Sequence, residues 1–141
     1  MGQSIAPKSP FMNINKAFIL AGVSSALSIT ASFIYNKVYS GSFYVDFSKI
    51  ISPTSIIMSC LVGCTLMSLA YTLIIKWRPT LNLGWLNIVF AILSFASIIM
   101  VLSFKLPLDI EFPELFPGLA IPMHFFPVLA FLTIVPFFKT K

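Results

Sequence analysis

Residues 83–104 read LGWLNIVFAILSFASIIMVLSF, with no Asp, Glu, Lys or Arg among them. A helix needs about 20 predominantly apolar residues to cross the hydrocarbon of a bilayer, and this stretch has that length. On either side of it, residues 17–35, 50–75 and 119–138 are also apolar and free of these four charged residue types. The sequence therefore predicts an all-α membrane protein, a bundle of four transmembrane helices.

Composition leads to the same prediction. Hydrophobic residues make up 58% of the 141 residues and charged residues 9%, against about 25% charged residues in ordinary soluble domains. We expect a polar N-terminal segment, residues 1–16, and one transmembrane domain, residues 17–138. Met12 is an alternative start, so whether Met1–Phe11 is native stays open. A retained first helix is favoured over a cleaved signal peptide, because its apolar run continues to Tyr35.

Basic residues predict the orientation. One side of the membrane would carry six basic residues and no acidic one: Lys8, Lys16, Lys76, Arg78, Lys139 and Lys141. The other side would carry three basic residues and all four acidic ones: Lys37, Lys49, Lys105, Asp46, Asp109, Glu111 and Glu114. Cytoplasmic loops are enriched in Lys and Arg, so we expect both termini to be cytoplasmic. The net charge of +5 is then explained by contact with anionic lipid, and a nucleic-acid partner is not expected.

Small residues recur at every fourth position in the first two predicted helices. The first contains the pairs Gly22–Ala26 and Ser28–Ser32, and the second contains Ser55, Ser59 and Gly63. Small residues on one stripe let two helix backbones approach closely within lipid. We therefore expect the first two helices to pack together along these stripes, and the third, with fewer polar residues, to be more exposed to lipid.

His124 is the main candidate for chemistry, because it is the only histidine in the chain and lies inside the fourth predicted span. An ionisable group within a membrane is a functional hypothesis by default, and histidine changes charge near neutral pH. The alternative is a hydrogen bond that packs helices, to a serine of the first two helices or to Glu114. Glu111 and Glu114 would line an outer vestibule if His124 served a carrier.

Other chemistry has little support in the sequence. Cys60 and Cys64 are four residues apart on one helix, a spacing that does not favour a disulfide. Two thiols without further ligands also make a poor metal site. We expect no metal, no cofactor and no catalytic constellation, so an enzyme is the least favoured class.

Part of the chain resembles a known family. Arg78-Pro79, then Trp85, a third span, a Pro-rich outer loop and a fourth span with an early His124 resemble a family of small four-span bacterial membrane proteins of unknown function. The resemblance covers the region from Lys76 to Phe138. It implies a multi-pass protein of the bacterial inner membrane and draws attention to Trp85 and His124, but it carries no activity.

Two functions follow as predictions. The favoured one is a small integral membrane protein that acts through helix contacts, either with itself or with a larger membrane complex. The alternative is a carrier for a small molecule or ion that uses His124 with Glu111 and Glu114. Besides these partners, only the lipid bilayer is expected.

Overall fold

The computed structural model describes residues 14–78, 83–106 and 111–138. These contain α1 (Ile14–Phe43), α2 (Pro53–Trp77), α3 (Leu83–Ser103) and α4 (Phe116–Ile134). Short 3-10 helices, Pro113–Leu115 and Val135–Phe138, flank α4. The predicted all-helical class is confirmed for this part of the chain, whose four long helices are apolar enough to span a membrane. Most of the predicted N-terminal segment, residues 79–82, Asp109, Lys139 and Lys141 lie outside the described residues.

The first helix is longer than its apolar stretch. It continues past Tyr35 to Phe43 and has 30 residues, which corresponds to about 45 Å at 1.5 Å per residue. Helix α1 is therefore longer than the roughly 30 Å thickness of a bilayer's hydrocarbon. Residues 36–43, which follow the predicted span 17–35, are part of the helix.

The start of α2 follows from local chemistry. Ser52 caps the helix in an extended conformation, and its hydroxyl accepts a 3.1 Å hydrogen bond from the Ser55 amide. Pro53 occupies the first turn, where its missing N–H costs no helical hydrogen bond.

Helix α4 begins earlier than predicted, and this changes the role of Pro122. The helix starts at Phe116 and contains both Pro122 and Pro127, so Pro122 does not lie in the first turn. A proline has no N–H for the carbonyl four residues earlier, which here is that of Gly118. The Tyr35 hydroxyl from α1 donates to this carbonyl at 2.8 Å. Tyr35 of α1 thus supplies the hydrogen bond that the Gly118 carbonyl of α4 cannot receive from Pro122.

Helices α1, α2 and α4 pack against one another, whereas α3 packs mainly on α4. The third helix is the least buried of the four candidate spans, as its composition predicts. One hydrophobic core lies near the α2–α3 connection, where Tyr71, Phe90 and Phe131 meet edge to face. A second core lies at the opposite end, where Val45 and Phe47 from the α1–α2 connection pack on α4.

The pairing of α1 with α2 agrees with the prediction, but most of the small residues predicted to form the contact lie outside it. The buried face of α1 carries Ala17, Leu20, Ala21, Ser24, Ser25, Ser28 and Ser32. On α2 the corresponding residues are Ile56, Cys60, Cys64, Met67, Ser68 and Tyr71. Hydrogen bonds join these faces, because the Ser68 hydroxyl donates to the Ala17 carbonyl at 2.6 Å and the Ser28 hydroxyl to the Cys60 sulfur at 3.2 Å.

Ser28 and Ser32 lie in this contact, as predicted, but the other small residues singled out in the sequence lie elsewhere. Gly22 and Ala26 are exposed, and a Cβ atom placed on Gly22 would meet nothing within 4 Å. Gly63 faces α4, because a Cβ atom there would lie 3.5 Å from the Pro127 Cβ. Ser55 and Ser59 are exposed and lie beside a cavity. Burial lets the Ser28 and Ser68 hydroxyls form hydrogen bonds across the contact, whereas Gly22 and Ala26 have no polar group to pair.

Candidate functional site

A cavity of about 300 Å³ lies between α1, α2 and α4. It lies beneath the α1–α2 connection, which contributes Ile50 and Ile51 to its wall. Its volume is at the lower end of the range for small-molecule sites, about 300–1,000 Å³. The lining combines apolar side chains with hydroxyls, one thiol and one imidazole: Ser32, Ile50, Ile51, Ser55, Ile56, Ser59, Cys60, Ala120, Met123, His124 and Pro127.

His124 lines this cavity from α4 and is exposed. Its Nδ1 lies 2.8 Å from the Ala120 carbonyl oxygen, one turn earlier in the same helix. The Ser94 hydroxyl of α3 donates to the backbone carbonyl of His124 at 3.1 Å. Among the described residues no hydrogen bond joins the ring to a serine of α1 or α2, or to Glu114. The imidazole is therefore held by its own helix, and its other nitrogen, Nε2, has no hydrogen-bond partner in the part of the chain that the structure describes.

The wall formed by α1 and α2 centres on Cys60. Its sulfur accepts a hydrogen bond from Ser28 at 3.2 Å and lies 3.8 Å from the Ser32 hydroxyl. Cys60 and Cys64 are both free and buried. The described residues contain no group of three or more His, Cys, Asp or Glu side chains able to hold a metal ion. The thiol thus acts as a polar contact between two helices beside the cavity.

The α2 side of the cavity carries two hydroxyls with defined partners. The Ser59 hydroxyl donates to the Ile56 carbonyl at 3.1 Å. The Ser55 hydroxyl lies 2.8 Å from that of Ser52, the residue that caps α2. A serine hydroxyl has one hydrogen to donate and two lone pairs. Because the Ser59 hydroxyl already donates its hydrogen within α2, only its lone pairs are available to a ligand, as hydrogen-bond acceptors.

The α1–α2 connection covers one end of the bundle. Phe47 is buried and meets Phe116 edge to face, with ring centroids 5.6 Å apart. Beside it, the Asp46 carboxylate accepts a 2.8 Å hydrogen bond from the Ser48 amide. Hydrogen bonding to Ser48 and, to a smaller extent, the nearby Lys49 charge lower the pKa of Asp46 below its ordinary value. The connection is thus held by its own local bonds as well as by α4.

The structure does not bring the acidic candidates to His124. Glu111 and Glu114 are exposed and do not line the cavity. Glu114 precedes His124 by ten residues, about 15 Å along a helix at 1.5 Å per residue. The third acid of this loop, Asp109, lies outside the described residues. Of these three candidates, all within the described residues, only His124 lines this cavity.

A second cavity lies on the other side of His124. It has a volume of about 240 Å³ and opens toward α3, with Met100, Val101, Phe104 and Phe116 in its wall. Ile50, Ile51, Ala120 and His124 line both cavities. A separate groove of about 470 Å³ between α3 and α4 is lined almost wholly by apolar side chains, as expected of a surface that faces acyl chains. We therefore restrict the candidate site to the two cavities that share His124.

Sequence reasoning missed several residues of this site. Cys60 and Ser32 were assigned only structural roles, although Ser24, Ser28 and Ser32 repeat at a spacing of four, which indicates one polar helix face. Ile50 and Ile51 belong to the end of an apolar stretch and carry no signal of their own. Pro122 could have indicated the contact between Tyr35 and α4. A proline within a helix leaves the carbonyl four residues earlier without its amide partner, and the Tyr35 hydroxyl donates to that carbonyl.

No protein-family model, no curated protein and no solved structure matches this chain. The resemblance to small four-span bacterial membrane proteins therefore stays a prediction. Without such a match, only the geometry of the two cavities beside His124 bears on the function.

Proposed function

We propose that this chain is an integral membrane protein that binds a small amphipathic molecule in the cavity beside His124. The observation that carries the proposal is the cavity itself, which encloses about 300 Å³ between three helices. Apolar walls with a few convergent polar groups are typical of small-molecule sites. Here Ile50, Ile56 and Met123 supply apolar surface, while Ser59 and His124 supply hydrogen-bonding groups.

Binding or carriage fits the site better than catalysis. An activated nucleophile requires a base within hydrogen-bond reach. In the described part of the chain, the Ser28 hydroxyl is directed to Cys60, and the His124 Nδ1 to the Ala120 carbonyl. The polar groups are thus arranged as hydrogen-bonding positions for a ligand. This proposal keeps His124 from the predicted carrier and leaves out Glu111 and Glu114.

Filling the cavity provides the test. We expect native mass spectrometry of protein extracted from membranes to reveal a bound small molecule that Ser59→Phe abolishes, because the ring would occupy the cavity. Leu66→Phe is the matched control, since Leu66 lies on the same helix and is 61% exposed on its lipid-facing side. A bound molecule that persists in Ser59→Phe, or that both variants lose equally, would contradict the proposal.

Self-association is a second candidate function, and the position of Gly22 favours it. Gly22 and Ala26 lie one turn apart on the exposed face of α1, and a Cβ atom on Gly22 would meet nothing within 4 Å. A pair of small residues four apart on a lipid-facing helix surface is a common helix-dimer contact. The predicted action through helix contacts, with itself or with a larger complex, would use this face.

Gly22→Leu tests this candidate without perturbing the fold, because the new side chain would point away from the bundle. We expect cross-linked dimers in native membranes to disappear in this variant. Val23→Leu, which changes the neighbouring exposed residue, should leave them unchanged. A chain that is monomeric before substitution would remove the candidate.

We also propose the bacterial inner membrane as the location, with both termini cytoplasmic. The support is the distribution of basic residues, six on the side of the termini and three on the other, together with the four helices able to span a membrane. Basic residues near span ends favour the cytoplasmic side. Under this orientation, His124 lies in the outer half of the bilayer.

A further inference from the structure

On the basis of the proposed function, we infer that the ligand is a neutral, single-chain amphiphile whose head donates a hydrogen bond to Nε2 of His124. The head would occupy the cavity between α1, α2 and α4. Its apolar chain would extend past His124 into the second cavity, toward α3. The inference adds the chemical class and the direction of the ligand to the proposed site.

The first step concerns the tautomer of His124. Its Nδ1 lies 2.8 Å from the Ala120 carbonyl oxygen. A carbonyl oxygen can only accept a hydrogen bond, so Nδ1 must carry the hydrogen. In a neutral imidazole the other nitrogen is then an acceptor, and the bond made by one nitrogen determines the state of the other. Nε2 therefore has a lone pair that can accept a hydrogen bond from a donor group of the ligand.

The Ser59 hydroxyl, which lines the cavity between α1, α2 and α4, supports the same polarity. It donates its hydrogen to the Ile56 carbonyl. Because a serine hydroxyl has one hydrogen, Ser59 has none left for a ligand. What Ser59 and Nε2 present to a ligand is acceptor capacity. A head group with only acceptors, such as an ether, would leave these groups unpaired.

The second step concerns charge. Of the residues the structure describes, those lining the two cavities include no Asp, Glu, Lys or Arg. An ion buried without an opposite charge is strongly disfavoured in a membrane interior. A cationic amine would find no carboxylate, because Glu111 and Glu114 do not line the site. A neutral hydroxyl satisfies both the hydrogen-bond requirement and the charge requirement.

The third step concerns the direction of the chain. The two cavities share Ile50, Ile51, Ala120 and His124, so a molecule with its head at Nε2 borders both. The first cavity contains the hydroxyls, while the second adds only apolar neighbours, Met100, Val101, Phe104 and Phe116. A polar head and an apolar chain would therefore be divided between them.

Because the chain has one histidine, ¹⁵N-histidine labelling of the full-length protein in nanodiscs gives a single pair of ring signals. At about pH 8, where an ordinary imidazole is neutral, we expect a protonated Nδ1 and an unprotonated Nε2. Added 1-octanol should shift the Nε2 signal, whereas 1-methoxyoctane, its methyl ether, should not. A protonated Nε2 in the free protein would overturn the inference.

Affinity supplies the second measurement, from the rise in unfolding temperature with ligand concentration. We expect 1-octanol to bind the unmodified protein about five-fold more tightly than its methyl ether, the effect of one typical hydrogen bond. In His124→Phe this preference should vanish, while Ile92→Ala, on the exposed face of α3, should retain it. Octanoate should bind more weakly than 1-octanol at this pH.

The outcomes separate the inference from the proposed function. Equal binding of alcohol and ether by the unmodified protein would overturn the donor requirement and leave the binding site standing. Tighter binding of octanoate would overturn the neutral head. If neither alcohol nor ether moves the ring signals or the unfolding temperature, the proposed site fails together with the inference.

Discussion

Replacing Gly118 with Ala should destabilise the bundle where α1 crosses the start of α4. A Cβ atom on Gly118 would overlap the Tyr39 hydroxyl and lie 3.2 Å from the ring carbon that bears it. That hydroxyl is held in place, because it donates to the Leu115 carbonyl at 2.8 Å. The ring is also confined by Phe43, whose centroid lies 4.6 Å away. The glycine is therefore required by a close approach of two helices.

The magnitude follows from three contributions to the free energy of unfolding. Displacing the hydroxyl breaks its hydrogen bond, at a cost of about 1 kcal/mol. Crowding a packed contact adds about 1–3 kcal/mol, and the higher helix propensity of Ala offsets up to about 1 kcal/mol. We expect Gly118→Ala to lower the free energy of unfolding by about 1–3 kcal/mol.

A titration of folded protein from mild detergent into denaturing detergent, followed by circular dichroism, measures this change. Gly41→Ala is the matched control, because a Cβ atom at that α1 position meets nothing within 4 Å; it should be neutral or stabilising. Tyr39→Phe removes the overlapping hydroxyl, so Gly118→Ala should cost less in that background. Equal effects of Gly118→Ala and Gly41→Ala would refute the reasoning.

Three further predictions concern orientation, packing and pH. A membrane-impermeant thiol label should reach a cysteine at Ser42 from outside intact cells but not one at Thr80; the reverse pattern would invert the proposed orientation. Gly63→Leu should lower the unfolding temperature because it forces α2 away from Pro127 of α4, while Gly22→Leu should leave monomer stability unchanged; equal effects would mean that the helix faces are misassigned. The lowered pKa of Asp46 means that its ionised form is favoured by folding, so its contribution is present above the unfolded pKa of about 3.9 and is lost as pH falls through the lower folded value. Acidification below about pH 4 should therefore lower the unfolding temperature more in the unmodified protein than in Asp46→Asn, and identical pH profiles would contradict this assignment.

The helices were predictable because apolar length is a strong signal in a membrane protein. The stretch at 83–104 corresponds closely to α3, Leu83–Ser103. The predicted span at 17–35 is shorter than α1, Ile14–Phe43. The reason is that hydropathy indicates which residues can lie in lipid and does not indicate which residues are helical. Asn36, Lys37 and Ser40 are polar, but they continue the helix to Phe43 without needing to lie in hydrocarbon.

The contacting faces were harder to predict, because α1 has two faces rich in small residues. Hydrogen bonding distinguishes them. Ser28 and Ser68 bond across the α1–α2 contact. In contrast, the exposed hydroxyls of Thr30 and Thr133 bond carbonyls four residues earlier in their own helices. A sequence shows which residues have hydroxyls, but not which of them find a partner on another helix.

The site was only partly predictable for a related reason. His124 could be singled out as an ionisable side chain within a span, but its surroundings come from segments far apart in the chain. Ile50 and Ile51 reach it from the α1–α2 connection, and Ser32 and Cys60 from two other helices. A cavity is the space that packing leaves unfilled, and a linear pattern of residues does not encode it directly.

The packing of α3 and α4 has a consequence for how the protein is made. Helix α3 packs mainly on α4, and the second core needs Phe116 and Leu119 of α4. During synthesis α3 is therefore made before the helix on which it packs, with Val45 and Phe47 still uncovered. Arrival of α4 closes the end of the bundle beneath the α1–α2 connection, supplies the imidazole of His124 and provides the Gly118 carbonyl that accepts from the Tyr35 hydroxyl. The proposed binding site thus forms only with α4, and a nascent chain without α4 lacks this cavity.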